Sequence, residues 1–332
     1  MRWAGLLLTF SLTVVPGAKA QVHLVVVSGL SGEAKYAESF HEWATGLCDA
    51  ATRRWGVPES NIVYLAEKVE RDPRRIAGRS TWENVQSAVR AVADRAGTQD
   101  LVFIVVIGHG TVQDDQAKLS LPGPDPTMQD VAGLLDAFPT QPLVFVNTAS
   151  ASGDFIGALS AEGRAVVTAT RSGRERNETI FGRFFIEAYA ADVADADKDG
   201  RVSVLEAFNY ARGETARLYE SENRLLTEHP LLDDNGDGEG SEEPGSEALD
   251  GRFAARLFLS GAVDPRVATG EIADPKLAAL YAERRALEDA VAELRLRKDE
   301  MATEAYETEL ERLLLELALK TREIRELEEK GQ

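Results

Sequence analysis

Two polar motifs stand at the ends of apolar runs in the first half of the chain. His109-Gly110 follows the run 101–107, and Ser150 follows the run 143–146. In open α/β sheets, ligands and catalytic groups gather at the carboxyl ends of the strands. A histidine and a small, nucleophile-sized residue on two such ends form the layout of an active site. We therefore take His109 and Ser150 as the candidate catalytic pair.

A second chemistry is indicated by residues 195–206, which have the spacing of a twelve-residue EF-hand loop. Acidic residues occupy positions 1, 3 and 5, glycine occupies position 6 and glutamate occupies position 12. Position 7 would contribute its carbonyl oxygen, and the serine at position 9 would bind directly or through water. Hard oxygen ligands at this spacing favour Ca²⁺. The expected ligands are Asp195, Asp197, Asp199, Arg201, Ser203 and Glu206.

A second, incomplete loop of the same kind begins at Asp233. Its twelfth place falls on Pro244, so Glu242 or Glu243 would have to supply the last ligand. The sequence leaves open whether this loop binds a metal. Its candidate ligands are Asp233, Asn235 and Asp237.

The elements that must position these residues alternate between strands and helices. The strands are apolar throughout instead of alternating with polar residues, which predicts a mostly parallel sheet covered on both faces. The expected class is a three-layer α/β/α sandwich. We predict strands at 22–28, 61–65, 101–107, 143–146, 165–169 and 253–259, the last of these closing the sheet. We predict helices at 34–55, from a Ser80 capping box to 95, from Thr127, after Ser152, at 180–193 and at 204–220.

The two strand-end motifs resemble those of the caspase-like clan of cysteine peptidases, nearest the legumain branch. His109-Gly110 matches the clan's His-Gly element, and the tetrapeptide 150–153 matches its Cys-x-Ser-Gly element with serine in place of cysteine. The resemblance covers about residues 22–259. It implies a caspase-like fold and a groove that holds His109 and Ser150.

The resemblance also implies roles. His109 would supply the proton for the leaving amine, Ser150 would take the nucleophile position, and the N–H groups of Gly110 and Ser150 would stabilise the oxyanion. A serine hydroxyl is far less acidic than a thiol, so it needs a base in direct contact, usually one oriented by a carboxylate. Asp114 and Asp115 are the acids nearest His109 in the sequence. We therefore expect weak or absent proteolysis.

The composition and net charge of the chain limit the classes of partner that it can bind. The chain has 332 residues and a formal net charge of −19. Loss of residues 1–20, which contain two basic and no acidic residues, would make the net charge −21. Such a surface repels nucleic acid and anionic lipid. The single cysteine excludes an intrachain disulfide.

The chain divides by composition into four parts. Residues 1–20 have the pattern of a secretory signal with a small-x-small cleavage site at 18–20. Residues 21–261 would form the α/β domain, with an EF-hand-like insertion at 181–245, and 262–274 would be a linker. Residues 275–330 have an a/d-like apolar pattern with a phase break near Thr303, which predicts a helical hairpin. A single long helix of coiled-coil type with a stutter is the alternative.

These features favour an exported protein, periplasmic or secreted, that does not span a membrane once its signal is cleaved. The first hypothesis is a pseudoenzyme that binds calcium and holds a peptide or protein in the groove of His109 and Ser150. One alternative is an active hydrolase with Ser150 as nucleophile and His109 as acid and base. Another is an assembly module that forms homo-oligomers through its C-terminal helices.

Overall fold

A computed structural model describes residues 20–191, 193–246, 248–260, 272–296, 298 and 301–331. Residues 1–19 of the predicted signal and 262–271 of the predicted linker lie outside the described residues.

The described residues form a seven-stranded sheet in the order β3-β2-β1-β4-β7-β8-β9. Neighbouring strands are parallel except β8 and β9, which pair antiparallel. A small antiparallel hairpin, β5–β6, follows β4. The strands are β1 Val22–Ser28, β2 Ile62–Ala66, β3 Ile76–Arg79, β4 Leu101–Ile107, β5 Gly110–Gln113, β6 Gln116–Leu119, β7 Leu143–Asn147, β8 Arg164–Thr168 and β9 Leu231–Asp233.

Helices cover both faces of this sheet. The first, fifth and sixth helices pack with one apolar cluster, and the second, third and fourth pack with the other. The expected three-layer α/β/α sandwich is therefore confirmed. The helices are α1 Ala34–Asp49, α2 Trp82–Ala93, α3 Met128–Leu135, α4 Phe155–Leu159, α5 Phe181–Ala190, α6 Val204–Ser221, α7 Pro275–Leu296 and α8 Thr303–Gly331.

The central strand β4 explains why the sequence shows no alternation. All seven of its residues are buried. Phe103 and Ile107 face the cluster under α1, α5 and α6, whereas Val102 and Ile104 face the cluster under α2, α3 and α4. Because both faces are covered, each face needs apolar side chains, and period-two patterning disappears.

The C-terminal helices α7 and α8 pack on each other as a hairpin, with Tyr281 and Ile324 in one contact cluster and Val291 and Leu313 in another. The hairpin is thus observed rather than a single long helix. No helix in the described parts of the chain has both the length and the apolar character that crossing a bilayer requires.

The predicted strand at 253–259 is wrong. Ala254–Arg256 form a short 3₁₀ turn, and the last strand of the sheet is β9, at residues where the sequence analysis predicts no strand. The carboxylate of Asp234 accepts the N–H groups of Gly251 (2.8 Å) and Ala254 (2.7 Å), which holds this backbone in a turn. A local apolar pattern could not reveal that long-range bond.

The predicted Ser80 cap is also misplaced by one residue. The hydroxyl of Thr81 accepts the N–H of Asn84 and caps α2, whereas the buried hydroxyl of Ser80 donates to the carbonyl of Ser28 at 2.6 Å. Ser80 therefore ties the approach to α2 to the carboxyl end of β1.

We expect Gly153→Ala to destabilise the fold. A Cβ at Gly153 would lie 2.1 Å from the carbonyl carbon of Arg171 and 2.2 Å from the nitrogen of Ser172, so backbone must move. Overpacking of this kind costs about 1–3 kcal/mol of unfolding free energy, measured by urea denaturation. Gly133→Ala is the matched control: its Cβ would meet open space inside α3, so a gain of up to about 1 kcal/mol is expected. Equal stabilities of the two variants would contradict the packing.

Candidate functional site

The register of two central strands places the candidate catalytic residues side by side. Val106 of β4 pairs with Asn147 of β7 in parallel. His109 and Ser150 each stand three residues beyond that pair, so both lie at the carboxyl edge of the sheet. This is the edge at which the sequence places a functional site.

Ser150 contacts the backbone that follows His109. The Ser150 hydroxyl accepts the N–H of Gly110 at 3.4 Å and donates to the carbonyl of Gly110 at 3.3 Å. A Cβ at Gly110 would lie only 2.4 Å from the carbonyl oxygen of Ser150, so this approach needs a glycine. Ser150 is 5% exposed. Its hydroxyl is thus buried and held by backbone.

The ring of His109 lies in an aromatic recess on α1. Its centroid is 4.7 Å from that of Tyr36 and 5.2 Å from that of Phe40, and both rings meet it edge-on. The backbone of Ser31, just beyond β1, also hydrogen-bonds to the ring. Burial lowers the pKa of His109, although the Ser31 bond and the charge of Glu178 oppose the shift. The ring is therefore neutral at pH 7.

The expected acid–base pair is only partly formed. His109 and Ser150 share the edge of the sheet, yet within the described residues no hydrogen bond joins the imidazole to the hydroxyl. Asp114 and Asp115 lie at the tip of the β5–β6 hairpin, where their positive φ angles of 54° and 57° form the turn. The acidic side chain that acts most on His109 is instead Glu178, which accepts the hydroxyl of Tyr36 at 2.8 Å.

The turn after Ser150 is conformationally strained. Ala151 is 1% exposed and has a φ of 54°, a left-handed conformation that non-glycine residues adopt at a cost. Its N–H donates to the carbonyl of Glu175 at 2.7 Å. The hydroxyl of Ser152 does not cap the following helix, because it accepts the N–H groups of Ala169 and Thr170 beyond β8. The turn is thus fixed from the neighbouring strand end.

Sequence reasoning missed a half-buried acid–histidine pair beside this turn. Nδ1 of His229 lies 2.5 Å from a carboxylate oxygen of Glu175, whose other oxygen accepts the N–H of His229. The neighbouring Glu228 is 1% exposed and accepts the N–H groups of Ile180 and Phe181 at the start of α5. These partners are about fifty residues apart in sequence, so no short-range spacing predicts their contacts.

A shallow, open pocket lies at the carboxyl ends of β1 and β2, and it shares Ser31 and Phe40 with the recess of His109. On its wall, Glu67 accepts both the N–H and the hydroxyl of Ser31, at 3.0 and 2.6 Å. Burial opposes ionisation of Glu67, but these hydrogen bonds win and lower its pKa. Lys68 and Arg71 also line the pocket. The recess and pocket form one concave edge.

The predicted EF-hand loop brings its first three acidic side chains together. Carboxylate oxygens of Asp195, Asp197 and Asp199 lie within 4.8 Å of one another. Lys198 and Gly200 have positive φ angles of 61° and 85°, which turn the backbone around these side chains. Burial and the charges of Asp199 and Asp195 raise the pKa of Asp197. Clustered carboxylate oxygens are the donor set that a hard divalent cation would stabilise.

Glu206 closes this loop as the sequence predicts for position 12. One of its oxygens accepts the N–H of Ala196 at 2.9 Å, near the start of the loop. The other accepts the N–H and hydroxyl of Ser203 in a capping box at the start of α6. Ser203 is therefore engaged as a helix cap, so its contribution to a cation would pass through water.

Arg201 connects the loop to the helical hairpin. Its guanidinium contacts Asp199 at 3.2 Å and Asp289 of α7 at 2.7 Å, and it lies 3.9 Å from the ring centroid of Phe258. Its side chain is 9% exposed. The carbonyl that the sequence assigns to cation binding thus belongs to a residue whose side chain fastens α7 to the loop.

The second loop lies between β9 and Ser241, which are joined by two backbone hydrogen bonds through Leu232. Asp233 is buried, whereas Asn235 and Asp237 are exposed. The two glutamates suggested as its last ligand are engaged elsewhere. Glu242 contacts Arg171 at 3.4 Å, and Glu243 contacts Arg212 at 3.5 Å.

Comparisons with known proteins add little to this site. No family model matches the sequence, and no curated protein matches it. Among solved structures, the chain is similar to protein GSU0716 from Geobacter sulfurreducens, with 10% sequence identity and a TM-score of 0.42. The similar region covers 70% of this chain and 98% of that one.

We expect His109 to titrate below the ordinary histidine pKa of 6.5, because burial disfavours the imidazolium. Two-dimensional NMR of the imidazole carbons across pH 4 to 8 would measure its midpoint, and His109→Gln would assign the signal. Phe40→Ala admits water to the ring and should raise the midpoint toward 6.5. A wild-type midpoint at or above 6.5 would contradict the buried, neutral ring.

Proposed function

We propose that this protein is an exported, calcium-binding relative of the caspase-like peptidases whose groove binds a peptide segment without cleaving it. Three features support the proposal. The order and placement of the His109 and Ser150 motifs match that clan, the sheet edge is concave, and loop 195–206 has the donor set for Ca²⁺. Export rests on the signal-like sequence of residues 1–20.

One observation carries the absence of turnover. The hydroxyl of Ser150 is held by both backbone groups of Gly110, and the ring of His109 is turned to the aromatic recess and Ser31. A serine nucleophile needs a base in direct contact with its hydroxyl. Here the proton of that hydroxyl points to a carbonyl, so attack on a peptide bond has no proton acceptor in place.

The same arrangement suits binding. A peptide in the groove would lie against the backbone at Gly110 and Ser150, and a side chain would reach the shallow pocket beside Ser31. The aromatic faces of Tyr36 and Phe40 add apolar surface beside His109. Burying such surface on a few polar anchors is how small-ligand and peptide sites work.

The proposal is tested with a mixed-sequence peptide library in Ca²⁺, using mass spectrometry for cleavage and fluorescence anisotropy for binding. We expect no cleavage by the wild type and binding that Ser150→Ala leaves within about threefold, since one hydrogen bond contributes about 0.5–1.5 kcal/mol and this one is internal. We expect His109→Ala to weaken binding because it empties the recess between Tyr36 and Phe40.

Ser150→Cys tests whether cleavage is absent because the thiol is missing or because the rest of the site no longer supports catalysis. A thiol is intrinsically more nucleophilic, so this variant should regain slow cleavage that His109→Ala abolishes. Cleavage by the wild type that disappears in Ser150→Ala would overturn the proposal in favour of an active serine hydrolase. The strained φ of Ala151 is the observation that favours this second candidate, because backbone strain gathers at catalytic turns.

Calcium binding has its own test. Ca²⁺ at about 100 times its Kd should stabilise the folded chain by about 2.7 kcal/mol, because it binds the native state selectively. Calorimetric melting with Ca²⁺ and with a chelator would show the difference, and Glu206→Gln should reduce it. Glu220→Gln, in the last turn of α6 and away from the loop, is the matched control. A melting temperature that is the same with Ca²⁺ and with chelator would contradict a calcium site.

A further inference from the structure

We propose that the side chain of Glu178 is a strap across the candidate groove, and that a bound peptide must displace it from Tyr36. The strap is a hydrogen bond of 2.8 Å in which the hydroxyl of Tyr36 donates to the Glu178 carboxylate. The inference concerns the regulation of the groove, and it rests on the peptide binding proposed there.

The bond joins the two elements that flank the candidate pair. Tyr36 lies in the first turn of α1, which follows β1, and Glu178 lies in the segment 169–180 between β8 and α5. In the sheet, β4 and β7 stand between β1 and β8. Because His109 follows β4 and Ser150 follows β7, the bond links one flank of the groove to the other.

On the α1 side, the strap is attached to the wall of the histidine recess. The ring of Tyr36 meets that of His109 edge-on, with the centroids 4.7 Å apart. The ammonium group of Lys35 lies 3.8 Å from the Glu178 oxygen that accepts the Tyr36 bond. The charge of Glu178 also acts on His109, where it opposes the burial that lowers the pKa of the ring. One carboxylate thus contacts the wall of the recess and influences the ring inside it.

The main chain that carries Glu178 is anchored on both sides of this residue. The carbonyl of Glu175 accepts the N–H of Ala151 at 2.7 Å. The hydroxyl of Thr179 donates to the carbonyl of Thr148 at 2.6 Å. Both anchors tie the segment to the turn after β7. Opening of the strap therefore needs only a rotation of the Glu178 side chain.

The strap is the contact of this segment that is most easily released. The Glu178 side chain is 56% exposed, whereas Ala151 is buried and the Thr179 bond is partly buried. Water competes for exposed polar contacts, so they contribute little to stability. Molecules with the strap in place are unavailable to a peptide, and the apparent affinity is reduced to the extent that they are populated. The contact would therefore lower the peptide affinity without blocking the groove.

The strap is tested first without peptide, by the rate at which diethylpyrocarbonate modifies His109 at pH 7.5. The ring is neutral at that pH, so the rate reports access, and mass spectrometry of the digested protein resolves each histidine. Tyr36→Phe keeps the aromatic ring but removes the donor, and it should speed the modification about two- to fivefold, as expected for one exposed contact. Glu178→Ala should do the same. His41, which bonds to Tyr64, is the internal reference.

A second tyrosine–glutamate contact supplies the matched control. The hydroxyl of Tyr210 on α6 donates to Glu187 on α5 at 3.2 Å, so Tyr210→Phe should leave the His109 rate unchanged. The double variant Tyr36→Phe/Glu178→Ala should react no faster than either single variant, because both remove one contact. Thermal melting would check the fold, and Glu178→Ala alters an exposed side chain if Tyr36→Phe does not fold. Wild-type rates in the single variants, or additive increases in the double variant, would overturn the strap.

The second measurement connects the strap to peptide entry. In fluorescence anisotropy with the peptide library, Tyr36→Phe should bind about two- to fivefold tighter than the wild type, because no fraction of the protein is held closed. Equal or weaker binding by Tyr36→Phe would overturn the strap as a regulator of the groove. If no variant binds the library, the peptide function itself fails, whereas the modification rates still decide whether Glu178 restricts access to His109.

Discussion

The parallel pairing of β4 with β7 is the constraint on which the site depends. Hydrogen bonds between the two strands fix Val106 beside Asn147, and every residue beyond that pair inherits the register. A shift by one residue would exchange the two faces of β7 and carry Ser150 away from Gly110. The burial of both strands on both faces makes such a shift very costly. The edge chemistry is therefore set by the core.

The register brings His109 and Ser150 to the same edge of the sheet, but it does not by itself make them a reactive pair. Register brings the backbone of Gly110 to the hydroxyl of Ser150, but the direction of the His109 ring is set by α1, through Tyr36 and Phe40. An imidazole and a nucleophile form a pair only when the strand register and the packing against α1 both place them in contact. In this chain the pairing of β4 with β7 brings Gly110 and Ser150 together, and α1 holds the His109 ring in an aromatic recess that favours its neutral form.

The sequence predicted those parts of the molecule whose cause is local or periodic. Continuous apolar runs identified the central strands, and the EF-hand spacing is observed as a loop that gathers Asp195, Asp197 and Asp199. The errors share a different origin. The strand expected at 253–259 is prevented by Asp234, some twenty residues earlier, and the contact between Glu175 and His229 spans 54 residues. Side-chain-to-backbone bonds across such distances leave no pattern in a sequence window.

Arg201 contacts both Asp199 of the first loop and Asp289 of α7, so cation binding in that loop would be coupled to the docking of the helical hairpin. The guanidinium of Arg201 and a bound cation would compete for the carboxylate of Asp199. The attraction that anchors α7 through Arg201 would therefore oppose the attraction that holds a cation in the loop. If the loop binds calcium as proposed, thermodynamic reciprocity requires that undocking of the helices would change the calcium affinity, and that calcium would change the docking by the same factor. The docking of the C-terminal hairpin would then respond to the concentration of divalent cations around the protein.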